Sequence, residues 1–141
     1  MPGDFIINPE YGVVFSFGWG TLTYEHIVDH RRRLREDPRF RPEFNQIIDF
    51  SHVTKMALSN DDIALLARQP VFDRDSLRAL VGATSLHYGL SRTFEAYSQS
   101  QNVTVFRNLN EAVEWVGTPM EVAEKAFQEF RSAHGLPAPG E

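Results

Sequence analysis

The order of hydrophobic patterns along the chain constrains its fold more than any single motif. Short stretches rich in β-branched and aromatic residues alternate with stretches whose apolar residues recur at helical spacing. "DFIIN" and "GVVFSFGWG" read as two strands joined by a turn at Asn8-Pro9-Glu10-Tyr11-Gly12. In the second, Val13, Phe15 and Phe17 alternate with Val14, Ser16 and Gly18, which predicts a buried face. Thr21 or Thr23 caps a helix carrying Leu22, Ile27 and Leu34, with Tyr24 and His30 nearby. That helix stops before Pro38, because a residue preceding proline is pushed out of helical geometry. "FNQIIDF" is the third strand, and Ser59 and Asp62 hold a cap spacing ahead of an apolar run. "SLRALVGAT", apolar from Ala79 to Ala83, predicts a central strand covered on both faces.

A helix through "SLHYGLSRTFEAYSQ" follows, with Leu86, Leu90, Phe94 and Tyr97 on one stripe, and then a fifth strand, "NVTVFR". Asn108 and Glu111 cap "LNEAVEWV", and Gly117 ends it. Thr118-Pro119-Met120-Glu121 combines a cap hydroxyl, a first-turn proline and a glutamate, and opens a last helix with Val122, Ala126, Phe127 and Phe130 inward. Strands separated by helices need crossover connections. The expected class is therefore α/β, a single-domain, mixed, largely parallel five-stranded sheet packed with four or five helices. The domain is expected over residues 1–134, with 135–141 ("GLPAPGE") as a flexible tail.

Composition narrows the function classes. The 141 residues suffice for one core, and the absence of cysteine removes disulfides, thiol catalysis and thiolate metal sites. No run of about 18 apolar residues marks a membrane span. The start "MPGDFIINPEYG" lacks a basic region followed by an apolar stretch, so a reducing cytoplasm is the expected compartment. A net charge of -5 argues against a dedicated nucleic-acid binder. Six arginines between Arg31 and Arg41 nevertheless form a local run, read first as a solvated helix face and second as an anion or acidic-partner patch.

Open parallel sheets place their sites outside the carboxyl ends of the strands, which points to Asp49-Phe50-Ser51-His52 and Ala83-Thr84-Ser85. Asp49, Ser51 and His52 are the residue types of a hydrolytic triad. On a regular strand Ser51 and His52 diverge, and Asp49 and Ser51 serve backbone donors at a corner instead. Ser59 is either a helix cap or a phosphoacceptor beside Asp61 and Asp62. His26 and His30 stand four apart on a helix, a metal-ligand spacing without an evident third ligand, and no metal or cofactor is expected. Thr84, Ser85, His87, Tyr88, Ser91 and Arg92 cluster at the start of the helix after the central strand and can line a polar-tipped crevice. Phe15, Phe17, Trp19, Phe94 and Tyr97 are either core or the walls of an apolar pocket.

"NQIIDFSHVTKM" and "LRALVGATSLHYGLSRTFEAYSQSQNVTVFRNLNEAVEWV" together resemble small bacterial proteins described as SpoIIAA-like, or as STAS/SEC14-type domains, from about Gly12 to Gly117. The resemblance implies an α/β sheet like that of anti-sigma-factor antagonists and lipid-carrying SEC14 modules. Antagonists of the first kind carry a phosphorylated Asp-Ser-Ser-Gly segment, where this chain has Ala57-Leu58-Ser59-Asn60 and matches at Ser59 alone. With no dense catalytic constellation, the expected role is a non-enzymatic regulatory or protein-interaction module. Its partner surface would comprise Asp49, Ser51, His52, Ser59, Thr84, Ser85, His87, Tyr88 and Arg92. The alternative is a carrier or sensor of a small apolar or lipid-like ligand. The apolar face of the last helix, with Phe127 and Phe130, is expected to meet either its own sheet or a second copy in a homodimer.

Overall fold

β1 (Gly3–Asn8) and β2 (Val13–Thr23) form an antiparallel hairpin, and every later strand joins in parallel. The chain is described from a computed structural model covering residues 3–82, 85–98 and 102–138. After β2 come α1 (Tyr24–Glu36), β3 (Asn45–Ala57), α2 (Asn60–Arg68), β4 (Leu77–Val81), α3 (Ser85–Tyr97), β5 (Asn102–Phe106), α4 (Leu109–Val116) and α5 (Met120–His134). The strands lie side by side in chain order, β1 to β5. A sheet built in one direction by right-handed crossovers puts every crossover helix on the same face. Accordingly α1, α2 and α3 share one face, while α4 and α5, which follow the last strand, fold back onto the other.

The face under α4 and α5 is the denser one. Val13, Phe15, Phe17, Ile47, Ala79 and Val81 alternate into it and meet Ala112, Val113, Val116, Ala123, Ala126, Phe127 and Phe130. Phe17 and Phe130 stack with ring centroids 5.2 Å apart, and Phe15 meets Phe127 edge-on at 5.6 Å. Phe127 and Phe130 are thus consumed by the chain's own sheet. Trp19 continues this cluster, stacked on His134 at 3.9 Å. On the opposite face the packing divides into two smaller clusters, one around Ile7, Val14, Leu34 and Phe72 and one around Leu80, Val103 and Val105.

Caps follow the sequence signals at Thr23 and Ser59, each with a reciprocal side-chain bond from the third helical residue, and at Asn108 and Gly117. Gly117 takes φ +86°, which a left-handed helix terminus requires. Thr118 departs from expectation. Its N–H donates to Val113 O at 3.1 Å, so it closes α4, and α5 begins from Pro119 without a side-chain cap. Chain connectivity explains this: Thr118 is the single residue between the cap of α4, Gly117, and the cap of α5, Pro119, and the carbonyls ending α4 claim it first.

β3 also differs from expectation. It does not end near Asp49 but runs to Ala57. Its pairing with β4 stops at Asp49↔Val81, whereas its pairing with β2 continues to Thr23↔Ala57. Beyond Asp49 the two strands leave the sheet as a ribbon. Among the described residues no helix is long and apolar enough to cross a membrane.

Candidate functional site

The ribbon of β2 and β3, together with α1, α2 and α3, encloses a cavity of about 120 Å³ on the less densely packed face. Its walls are apolar: Leu22, Ile27, Met56, Leu58, Ile63, Leu66, Leu80, Leu90 and Phe94 line it. Leu22, Phe50, Met56 and Leu58 belong to the carboxyl-terminal half of the ribbon and the chain just after it, so the cavity opens beside the carboxyl ends of the strands.

The other end is polar. Ser16, Gln46 and Arg78 occupy one face of three neighbouring strands and are 2%, 3% and 5% exposed. Arg78 Nε donates to Gln46 Oε1 at 3.0 Å, and Gln46 Nε2 donates to Ser16 Oγ at 3.0 Å. Ser16 Oγ lies 3.1 Å from His30 Nε2 on α1. Burial, helped by the charge of Arg33, holds His30 down to about 4, so it is neutral at neutral pH. The Ser16 hydroxyl accepts from Gln46 and shares a hydrogen bond with that ring nitrogen. A continuous chain of bonds thus links Arg78 through Gln46 and Ser16 to His30.

Arg31 completes the polar wall. Its Nη1 donates to Leu66 O at 2.8 Å and Gln69 O at 2.9 Å, the carbonyls that end α2. Burial and the nearby charge of Arg35 lower it to about 10. Burial and the charge of Arg31 lower Arg78 to about 9. The rest of the arginine run is largely the solvated face that was expected: Arg32 and Arg33 pair with Asp29, and Arg39 with Asp37.

The residues singled out from sequence fall in several places. Asp49, 4% exposed, lies on the α5 side of the sheet, where burial raises its carboxyl above the usual range. Ser51 and His52 do not diverge as a regular strand requires. Phe17 faces Asp49 and Trp19 faces His52, so β3 carries one extra residue in a bulge. That bulge brings Ser51 Oγ within 3.3 Å of His52 Nδ1. His52 Nε2 donates to Pro137 O at 2.6 Å, while Asp49 Oδ1 accepts the Ser51 N–H at 2.9 Å. A carbonyl, and not the carboxylate, thus orients the imidazole.

Ser59 is exposed at the start of α2 and accepts from Asp62 N at 3.0 Å. Ser85 and Arg92 are exposed on α3, and His87 is buried beneath it. Tyr88 is half-buried under Arg107, whose guanidinium carbon sits 4.0 Å from the ring centroid, and Arg92 approaches the same ring at 6.0 Å. Thr84 lies outside the described residues. His26 closes the cap with Thr23, accepting the Thr23 N–H at Nδ1, and so does different work from His30. Of the aromatic set, Phe94 lines the cavity, while Phe15, Phe17 and Trp19 pack in or against the opposite core, Phe17 also bordering the cavity. The Tyr97 side chain lies outside the described part.

Sequence reading missed Ser16, Gln46, Arg31 and Arg78 as a group. Arg31 is one of six arginines in a run, and the three strand residues, each isolated in its strand, meet only once register is known. A signal existed in Arg78, an arginine inside a stretch expected to be buried on both faces.

No protein-family model matches the chain, and no curated protein matches it. Among solved structures, it is similar to the crystal structure of an uncharacterized protein from the DUF3478 family with a SpoIIAA-like fold, from Shewanella loihica PV-4. The TM-score is 0.50 at 19% identity, over 74% of this chain and 83% of that one. At that identity the likeness speaks to the fold alone. With its hairpin, its four parallel strands and helices on both faces, the chain has a SpoIIAA-like α/β fold.

Proposed function

We propose that the protein is a non-enzymatic carrier or sensor of a small apolar ligand, held in the cavity between the sheet and α1–α3. One observation carries this reading. A cavity of about 120 Å³ persists on one face of a sheet whose other face is filled with interlocking aromatic rings. Protein interiors are packed as densely as organic crystals, and a void of this size forfeits dispersion contacts on every wall. An apolar occupant restores those contacts. A cavity of roughly 150 Å³ suffices for a benzene-sized molecule, so the natural ligand has a ring or a short chain as its apolar part.

The described residues of the surface expected for an interaction module are Asp49, Ser51, His52, Ser59, Ser85, His87, Tyr88 and Arg92. These are spread over both sides of the sheet and include the buried Asp49 and His87. The cavity, by contrast, is one continuous site.

Methyl-resolved NMR with indole as probe tests the proposal. Shifts should concentrate on Leu22, Ile27, Leu66 and Leu90, and a Leu90→Trp variant, which narrows the cavity, should weaken them. Shifts confined to exposed residues, or no shifts at all, would contradict it.

A further inference from the structure

Apolar walls explain why a ligand enters but leave the polar end of the cavity unused. Two guanidinium groups, Arg31 and Arg78, line one small enclosure, and none of its described lining residues is acidic. Arg31 is engaged with the carbonyls ending α2. Arg78 is fixed through Gln46, whose amide is itself locked because its oxygen serves Arg78 and its nitrogen serves Ser16. Ser91 of α3 lines the same cavity; the residue is 3% exposed, and its buried hydroxyl has no hydrogen-bond partner among the described residues. A buried hydroxyl without a partner is costly unless a ligand supplies one. The site therefore joins a preorganised cation, an unsatisfied hydroxyl and an apolar enclosure.

We infer that the ligand is a small monocarboxylate, its carboxylate held by Arg78 and Ser91 and its ring or short chain lying among Leu22, Ile27, Leu66 and Leu90. The guanidinium fork matches a planar carboxylate, and a negative charge placed there is attracted by both Arg31 and Arg78. The lowering of Arg78 to about 9 by burial and by Arg31 agrees with this and still leaves it charged at neutral pH. Size argues for a ring or about six carbons, since about 120 Å³ is close to the roughly 150 Å³ that holds a benzene-sized guest and far below a diacyl lipid. The inference rests on the ligand-binding function proposed above.

Calorimetric titration at pH 7 with matched pairs of probes, benzoate against benzyl alcohol and hexanoate against hexanol, separates the two claims. At least one acid should bind about tenfold or more tightly than its alcohol, the margin expected of one charge-assisted hydrogen-bonded contact. Arg78→Met should abolish that margin. Ser91→Ala should reduce acid affinity several-fold and by more than it reduces alcohol affinity, and it decides the matter if Arg78→Met fails to fold. Alcohols binding as tightly as acids would overturn the carboxylate inference and leave the apolar-ligand function standing. Binding of none of the probes to the folded protein would overturn both.

Discussion

His30 shows how the fold sets the state of a single group. Its Nε2 lies 3.1 Å from Ser16 Oγ, and burial holds its pKa at about 4, below the usual 6.5. The unfolded chain protonates this histidine near its ordinary value, and the folded chain does so only near 4. The stability it contributes is therefore complete above about pH 6.5, declines as pH falls, and is gone below about pH 4. The loss is at most about 3 kcal/mol. Denaturant unfolding of wild type and His30→Gln between pH 4 and 7 should show a shallower dependence in the variant. Asp49 has the opposite sign. Burial raises its carboxyl, so ionisation weakens the fold as pH climbs above the ordinary carboxylate range. Asp49→Asn keeps an acceptor for the Ser51 N–H and removes that charge. It should raise stability at neutral pH by about 1 kcal/mol, with the gain vanishing in acid. Unfolding midpoints of the two proteins across pH check this. Of these residues the sequence marked Asp49 and His30 as chemically interesting but not their roles, because burial and partner identity depend on which strands become neighbours.

Among the elements, α3 is held against the sheet by a close approach that glycine permits. A Cβ on Gly82 would lie 3.0 Å from Tyr88 N and 3.1 Å from His87 C, both backbone atoms that cannot swing aside. Gly82→Ala should therefore cost about 1–3 kcal/mol, an overpacking penalty, and loosen the wall of the cavity that α3 supplies. Thermal unfolding, together with amide exchange of α3, measures both effects. Helix and strand order was legible in the sequence because hydrophobic periodicity, caps at Thr23, Ser59 and Asn108, and the terminal Gly117 all act locally. The length of β3 and its bulge were not. Ser51 to Ala57 lack the apolar run of a core strand, and they stay extended because β2 pairs with them. The shift of Thr118 from the start of α5 to the end of α4 has the same origin, since two helix ends compete for one residue.

For the whole molecule, the contrast between the two faces of the sheet is the central feature. Phe127 is 1% exposed and locked among Phe15, Phe17 and Phe130, so Phe127→Ala should cost about 3–5 kcal/mol. Leu90→Ala, which enlarges a space already open, should cost clearly less, and chemical denaturation of the pair tests the asymmetry. The sequence announced the dense face through Phe15, Phe17, Phe127 and Phe130 on strand and helix periods. It concealed the cavity, because an unfilled volume is a property of how three helices settle on a sheet and no residue encodes it alone. Sequence also placed the site residues along the chain rather than across it, and Ser16, Gln46 and Arg78 converge only through strand order. Native mass spectrometry of the protein purified from its own host reads the occupancy of the cavity. A ligand-carrying cavity yields a small-molecule adduct that survives gentle ionisation, disappears on denaturation and is absent from Leu90→Trp. A clean apo mass for wild type and variant alike would contradict the proposed function.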